Sequence, residues 1–233
     1  MPAYTLDTSD TVTAPDGATL YRIRYADGTP GGYLQSTTNL DPASDARVFG
    51  DARVFGDARV YGNARVYGNA QVYGNAQVYG NARVYGNAWV SGNAQVYGGA
   101  QVYGGAQVSG GAQVSGGAWV SGDAQVYGNA QVSGDAQVYG DARVYGNARV
   151  FGNARVSEPQ HCLTIGPLGS RAAILTVCRD STLGISYATG CFFGSREAFL
   201  NAVEATHGDS PTGNAYAAAV MLADHVAPPY TQE

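Results

Sequence analysis

Asp45-Ala46-Arg47-Val48-Phe49-Gly50 is followed at once by Asp51-Ala52-Arg53-Val54-Phe55-Gly56, and the unit recurs without insertion to Asn153-Ala154-Arg155-Val156-Ser157-Glu158. Nineteen such hexapeptides fill residues 45–158, with Ala at position two and Val at position four of every one. So short and fixed a period dictates the whole architecture. Ala and Val lie two residues apart and point to one side of a strand, while positions three and five point to the other. Gly at position six, followed by Asp, Asn or Gly at position one, is turn chemistry, because these residues tolerate positive φ. Each unit is therefore a short strand plus a corner. It is too short to bury its apolar face alone and must stack on copies of itself.

Three corners close a triangular coil of eighteen residues, so that residue i lies against residue i+18. The array then makes about six coils and rises about 30 Å at the ~4.8 Å spacing of paired strands. Its interior is narrow and admits only Ala beside Val. Open strand edges invite association, so a cap is expected at each end. Before the array, residues 19–25 and 32–35 read as strands separated by the turns Asp16-Gly17 and Asp27-Gly28. Beyond Pro159 the period is lost. Residues 162–165, 172–177 and 184–188 read as strands. Ser195 then caps a helix over 196–206 that stops at Gly208, and a second helix over 213–226 ends before Pro228-Pro229. The expected fold class is an all-β solenoid, a three-sided parallel β-helix, with a β cap over 1–44, the array over 45–158 and an α+β module over 159–233.

Read as Val-x-Gly-Asn-Ala-x, the unit resembles the hexapeptide repeat of the left-handed parallel β-helix superfamily, and the left hand is implied by that resemblance alone. Gly31-Gly32-Tyr33-Leu34 with Asn39-Leu40 resembles the lead-in of hexapeptide-repeat proteins of phages and prophages. The run 163–170, Gly190-Cys191-Phe192 and His207-Gly208 are similar to the C-terminal part of the same proteins. The resemblance implies a phage-type protein and leaves its biochemical role open.

Composition narrows the function classes. The chain has no Lys, 13 Arg, 18 acidic residues and a net charge of −5. The cap carries two Arg against five Asp, the array eight Arg against seven acids, and the tail three Arg against six acids. That balance argues against nucleic acid and anionic membranes as partners. Neither a signal peptide nor a membrane span is expected, which points to a cytoplasmic protein. Cys162, Cys178 and Cys191 are odd in number and lack CxxC spacing. They predict neither a disulfide framework nor a zinc site, and free thiols are the expectation.

Many left-handed β-helix proteins resemble acyltransferases, which use a His as general base. This array holds no His, Lys, Cys or inserted loop; His161, His207 and His225 lie outside it. An enzyme built on the His161/His207 region is therefore the runner-up reading, with His207 more simply a charge partner at a helix C-terminus. No catalytic residue, metal ligand or cofactor is assigned. A Thr ladder of the ice-binding kind is absent from the array.

The candidate binding surface lies on the outer columns. Position five is aromatic in thirteen units and Ser in six. Phe49, Tyr67, Tyr85 and Tyr103 form an aromatic stripe that either stacks on itself or makes a protein interface. Position three runs from Arg through Gln back to Arg, where Arg–Asp neutralisation and Gln ladders are the simplest expectations. Arg beside Tyr also raises single-stranded nucleic acid or a small ligand as further alternatives. Between Gly98 and Gly117 four corners are Gly-Gly, and Ser109, Ser115 and Ser121 replace Tyr. With Trp89 and Trp119 on either side, this waist would form a docking groove, unless it is mere drift among duplicated units. The expected partner is a protein or a further copy of the chain.

Overall fold

A computed structural model describes residues 4–169 and 171–226. The N-terminal cap is β1 (Tyr4–Thr13), β2 (Thr19–Tyr25) and β3 (Pro30–Leu34). The array supplies nineteen two-residue strands, one per unit, from β4 (Arg47–Val48) to β22 (Arg155–Val156). Each unit pairs in parallel with the unit eighteen residues away, as Arg83 does with Arg65 and Gln101. Three flat faces result. The first runs β3-β5-β8-β11-β14-β17-β20, the second β4 to β22 in steps of three, and the third β6 to β21 in the same steps. Every array Ala and Val is buried, and together they form one continuous core. The array alone gives about six coils, but the cap adds rungs. Tyr33 pairs with Arg53 on the first face and Leu40 bridges Val60 on the third, so the solenoid makes about seven turns.

The corners explain the recurring Gly. Gly86 has φ +70°, and a Cβ there would lie 3.0 Å from the backbone nitrogen of Gly104. Gly31-Gly32 in the lead-in has a different cause. A Cβ on Gly32 would meet the Ala52 carbonyl at 2.5 Å, so only Gly lets β3 lie this close to the first coil.

Both ends are sealed by side chains that take the place of a missing coil. At the N-terminal end the Tyr25 hydroxyl donates to the Val48 carbonyl at 3.0 Å and accepts from the Val48 N–H at 2.7 Å. The buried Asn39 amide donates to the carbonyls of Gly56 and Ala58, both at 2.9 Å. Its own oxygen accepts from Ser36 N, while Arg22 reaches the Gly50 carbonyl. Tyr4 donates to the Leu40 carbonyl at 2.6 Å, and burial pushes its phenol pKa up to about 12.

At the other end lies the antiparallel sheet β23 (Cys162–Leu168), β24 (Ala173–Asp180), β25 (Gly184–Thr189) and β26 (Phe192–Gly194). Strand β24 crosses the last coil, and Cys178 joins the solenoid core. The Arg149 N–H donates to Thr176 Oγ1, and Asp180 bridges Ala154. His161 is buried in this cap, with Nδ1 3.0 Å from Ser157 Oγ. Burial, then the Arg179 charge, lowers its pKa despite Glu158. It is a capping residue.

A second core under the sheet holds Leu175, Val177 and Tyr187 against α1 (Arg196–His207) and α2 (Pro211–Val226). Ser195 caps α1 by accepting from Ala198 N, and Gly208 ends it at φ +49°, both as expected. Pro228-Pro229 lies outside the described residues. No helix among those residues is long and apolar enough to cross a membrane.

One expectation about the cysteines fails. Cys162 and Cys178 face each other across β23 and β24 and are joined by a disulfide, leaving Cys191 free and exposed. The sequence separation of sixteen residues concealed a hairpin that places the two directly opposite.

Candidate functional site

The outer columns bind chiefly to themselves. On the second face Tyr67, Tyr85 and Tyr103 stack at 4.8 and 4.9 Å, with interplanar angles of 1° and 5°. Tyr61, Tyr79 and Tyr97 do the same on the third face. This spacing is the rung spacing itself, so identical side chains at the same position have no alternative to stacking. The rings are half-buried, and the exposed stripe expected here is a packed one. Phe49 leaves it altogether and tilts against Tyr25 at 6.0 Å. The hydroxyls of Tyr61 and Tyr85 donate to Gln77 and Gln101. Burial, then the neighbouring phenols, raises the pKa of Tyr79 and Tyr85.

The amide ladders fall at position one instead of position three. Asn63 donates to Asn81, Asn69 to Asn87, Asn75 to Asn93 and Asn129 to Asn147. Gln at position three is partly engaged by Tyr, as above. Charge pairing likewise takes another route from the expected column neutralisation. Arg47 meets Asp27 at 3.7 Å and Asp51 meets Arg22 at 3.9 Å, both from the cap.

The residues of the waist do not share one face. Consecutive units turn a corner, so Ser109, Ser115 and Ser121 lie on the first, third and second faces in turn. Trp89 pairs in register with Gln71 and Gln107 on the first face, and Trp119 with Gln101 and Gln137 on the second. The two indoles, 43% and 42% exposed, therefore point away from different sides of the rod. A Cβ on Gly105, Gly111 or Gly117 would meet only the movable side-chain oxygen of Asp123, Asn129 or Asp135, and Asn occupies the same position over Asn in other coils, so nothing in the structure requires Gly at these corners. What the first face does bring together is Trp89, Ser91 and Ser109. They lie between the stacked pair Phe55 and Tyr73 on one side and Tyr127 and Tyr145 on the other.

The C-terminal module encloses a cavity of about 370 Å³ that no sequence pattern announces. Its wall comes from the ends of β23 and β25, the turn Thr189-Gly190-Cys191, and both helices. Phe192, Phe199 and Tyr216 supply rings, while Arg171, Thr189 and His207 supply polar groups. The His207 ring stacks on Tyr216 at 5.8 Å. His161 is not part of this lining, so the two histidines of the runner-up enzyme do not share a site. Arg149 fixes the cavity's turn to the rod. Its guanidinium donates to the Gly190 carbonyl and lies 4.7 Å over the Phe151 ring. The cavity residues are scattered over nearly fifty positions on several elements, a pattern with no spacing signature.

No curated protein matches the chain. Residues 58–74, 76–92, 124–140, 136–150 and 142–158 match the family model described as the YdcK beta solenoid repeat. These stretches cover less than half of the chain, and they fall on both sides of the Gly-Gly waist. Together with eighteen-residue coils sealed at both ends, the matches make the chain a β-solenoid repeat protein.

Proposed function

We propose that this protein is a non-catalytic scaffold, a rigid rod that holds its N-terminal cap and C-terminal module at a fixed separation and rotation. The observation that carries the reading is the self-stacking of the outer columns, above all Tyr67, Tyr85 and Tyr103. Side chains already engaged along the axis stiffen the rod and offer little to a substrate. Flank motifs that resemble phage and prophage proteins give the reading its setting, an assembly with a protein partner or a further copy of this chain. The exposed Trp89, Trp119 and Tyr145 favour a protein interface along the faces, since such aromatics anchor interfaces.

The reading is tested first against acyl transfer. With acetyl and longer acyl thioesters, the full chain is expected to release no thiol and to bind no donor saturably. His161 is hydrogen-bonded to Ser157, and the array itself holds no His, Lys or Cys to serve as a base. Thiol release that disappears in His161→Ala, with folding intact, would overturn the assignment.

A further inference from the structure

We propose that the cavity of the C-terminal module is a binding site for a small carboxylate with an apolar, ring-sized body. Three independent features point to that chemistry. The volume, about 370 Å³, lies within the range of small-molecule sites, and the rings of Phe192, Phe199 and Tyr216 give it an apolar floor. Its charge is opposite to that of its surroundings. The tail carries more acids than bases, yet the charged side chain in the cavity lining is Arg171, with no Asp or Glu beside it. A guanidinium at the mouth of an apolar cavity matches a carboxylate's two oxygens with two parallel donors. Finally, the Thr189 hydroxyl, in the cavity wall, is shut off from water and has no hydrogen-bond partner among the described residues. A buried hydroxyl of this kind is destabilising until an acceptor reaches it. A rotation of the Thr189 side chain toward the cavity would bring that hydroxyl to a ligand oxygen.

The solenoid takes part in this site only by placing it. Arg149 holds the Gly190 carbonyl, and so the turn bearing Thr189, against the last coil. The site therefore sits at the end of the rod, and it stands or falls separately from the scaffold reading.

The test uses the full chain and three matched probes: phenylacetate, phenylacetamide and phenethylamine. Heteronuclear NMR titration is expected to show saturable shifts of Thr189, Ala202 and Thr206 amides with phenylacetate. The amide should bind about tenfold more weakly, the worth of one charge-assisted hydrogen bond, and the amine more weakly still. Arg171 is exposed, so Arg171→Gln should fold normally. It should lower phenylacetate affinity about tenfold and leave phenylacetamide unchanged. Thr189→Val should weaken both acid and amide. Absence of shifts at about 10 mM phenylacetate would overturn the proposal, since even a millimolar site would then be occupied. So would equal affinities for the three probes, or phenylacetate binding that Arg171→Gln leaves untouched.

Discussion

Val102→Asp should unfold the middle of the solenoid. Val102 is fully buried and stacks in register between Val84 and Val120. Its neighbours in the interior are Ala and Val, so a carboxylate there would find neither a partner nor room for water. A buried unpaired charge of this kind costs several kcal/mol, at the extreme end of single substitutions. Because each coil is held only by its neighbours, a failed coil also divides the stack in two. The expected result is a thermal midpoint lowered by 10 °C or more, at about 2–4 °C per kcal/mol for a chain of this size, with loss of β circular dichroism. Destabilisation should ease below about pH 4, where the carboxyl is protonated in the unfolded chain as well. Gln101→Asp, one residue away but pointing outward, should change the midpoint little. An unchanged midpoint in Val102→Asp would mean that this Val does not face the interior.

Asn39→Ala should be the most damaging change outside the array. It strips partners from the Gly56 and Ala58 carbonyls and from Ser36 N, all at the rod's N-terminal edge. Each unmade bond costs about 1–3 kcal/mol where water cannot enter. A total near 3 kcal/mol or more is expected, together with self-association through the newly open edge. The comparison is Asn81→Ala, which removes one exposed rung of an amide ladder and should cost about 0.5 kcal/mol or less. Denaturant unfolding reads the stability and light scattering reads the association. Equal effects of the two substitutions would sink the assignment of Asn39 as a cap.

The solenoid was legible because one physical rule applies nineteen times. Position four can only face inward, and position six can only turn. The ends were less legible because each cap is built once, from unlike parts. Asn39 and Tyr25 are ordinary polar and aromatic residues until the first coil's unpaired backbone is known. Strand β1 escaped notice because its partly polar run, with Asp7, Ser9 and Asp10, lacks clean alternation, and β26 is only three residues long. The residues of the waist do not come together, for a geometric reason. Trp89, Ser109, Ser115, Trp119 and Ser121 are close in sequence, but a coil of three units distributes neighbours over three faces. Different units share a face only when they lie a multiple of eighteen residues apart, as those of Tyr67, Tyr85 and Tyr103 do. The disulfide and the cavity depend on a hairpin and two helices whose pairings no local pattern specifies.

Eighteen residues make one rung, so the number of repeats sets the length of the rod. Asp45 and Asp135 occupy one corner column five coils apart, on a face whose units pair in unbroken register. Spin labels on Asp45→Cys and Asp135→Cys, in a Cys191→Ser background, should lie about 24 Å apart at ~4.8 Å per rung. Deleting residues 101–118 between them removes one coil. Pulsed dipolar spectroscopy should then give one narrow distance peak, about 5 Å shorter than in the parent. An unchanged distance, or a broad distribution in the deletion, would contradict the account.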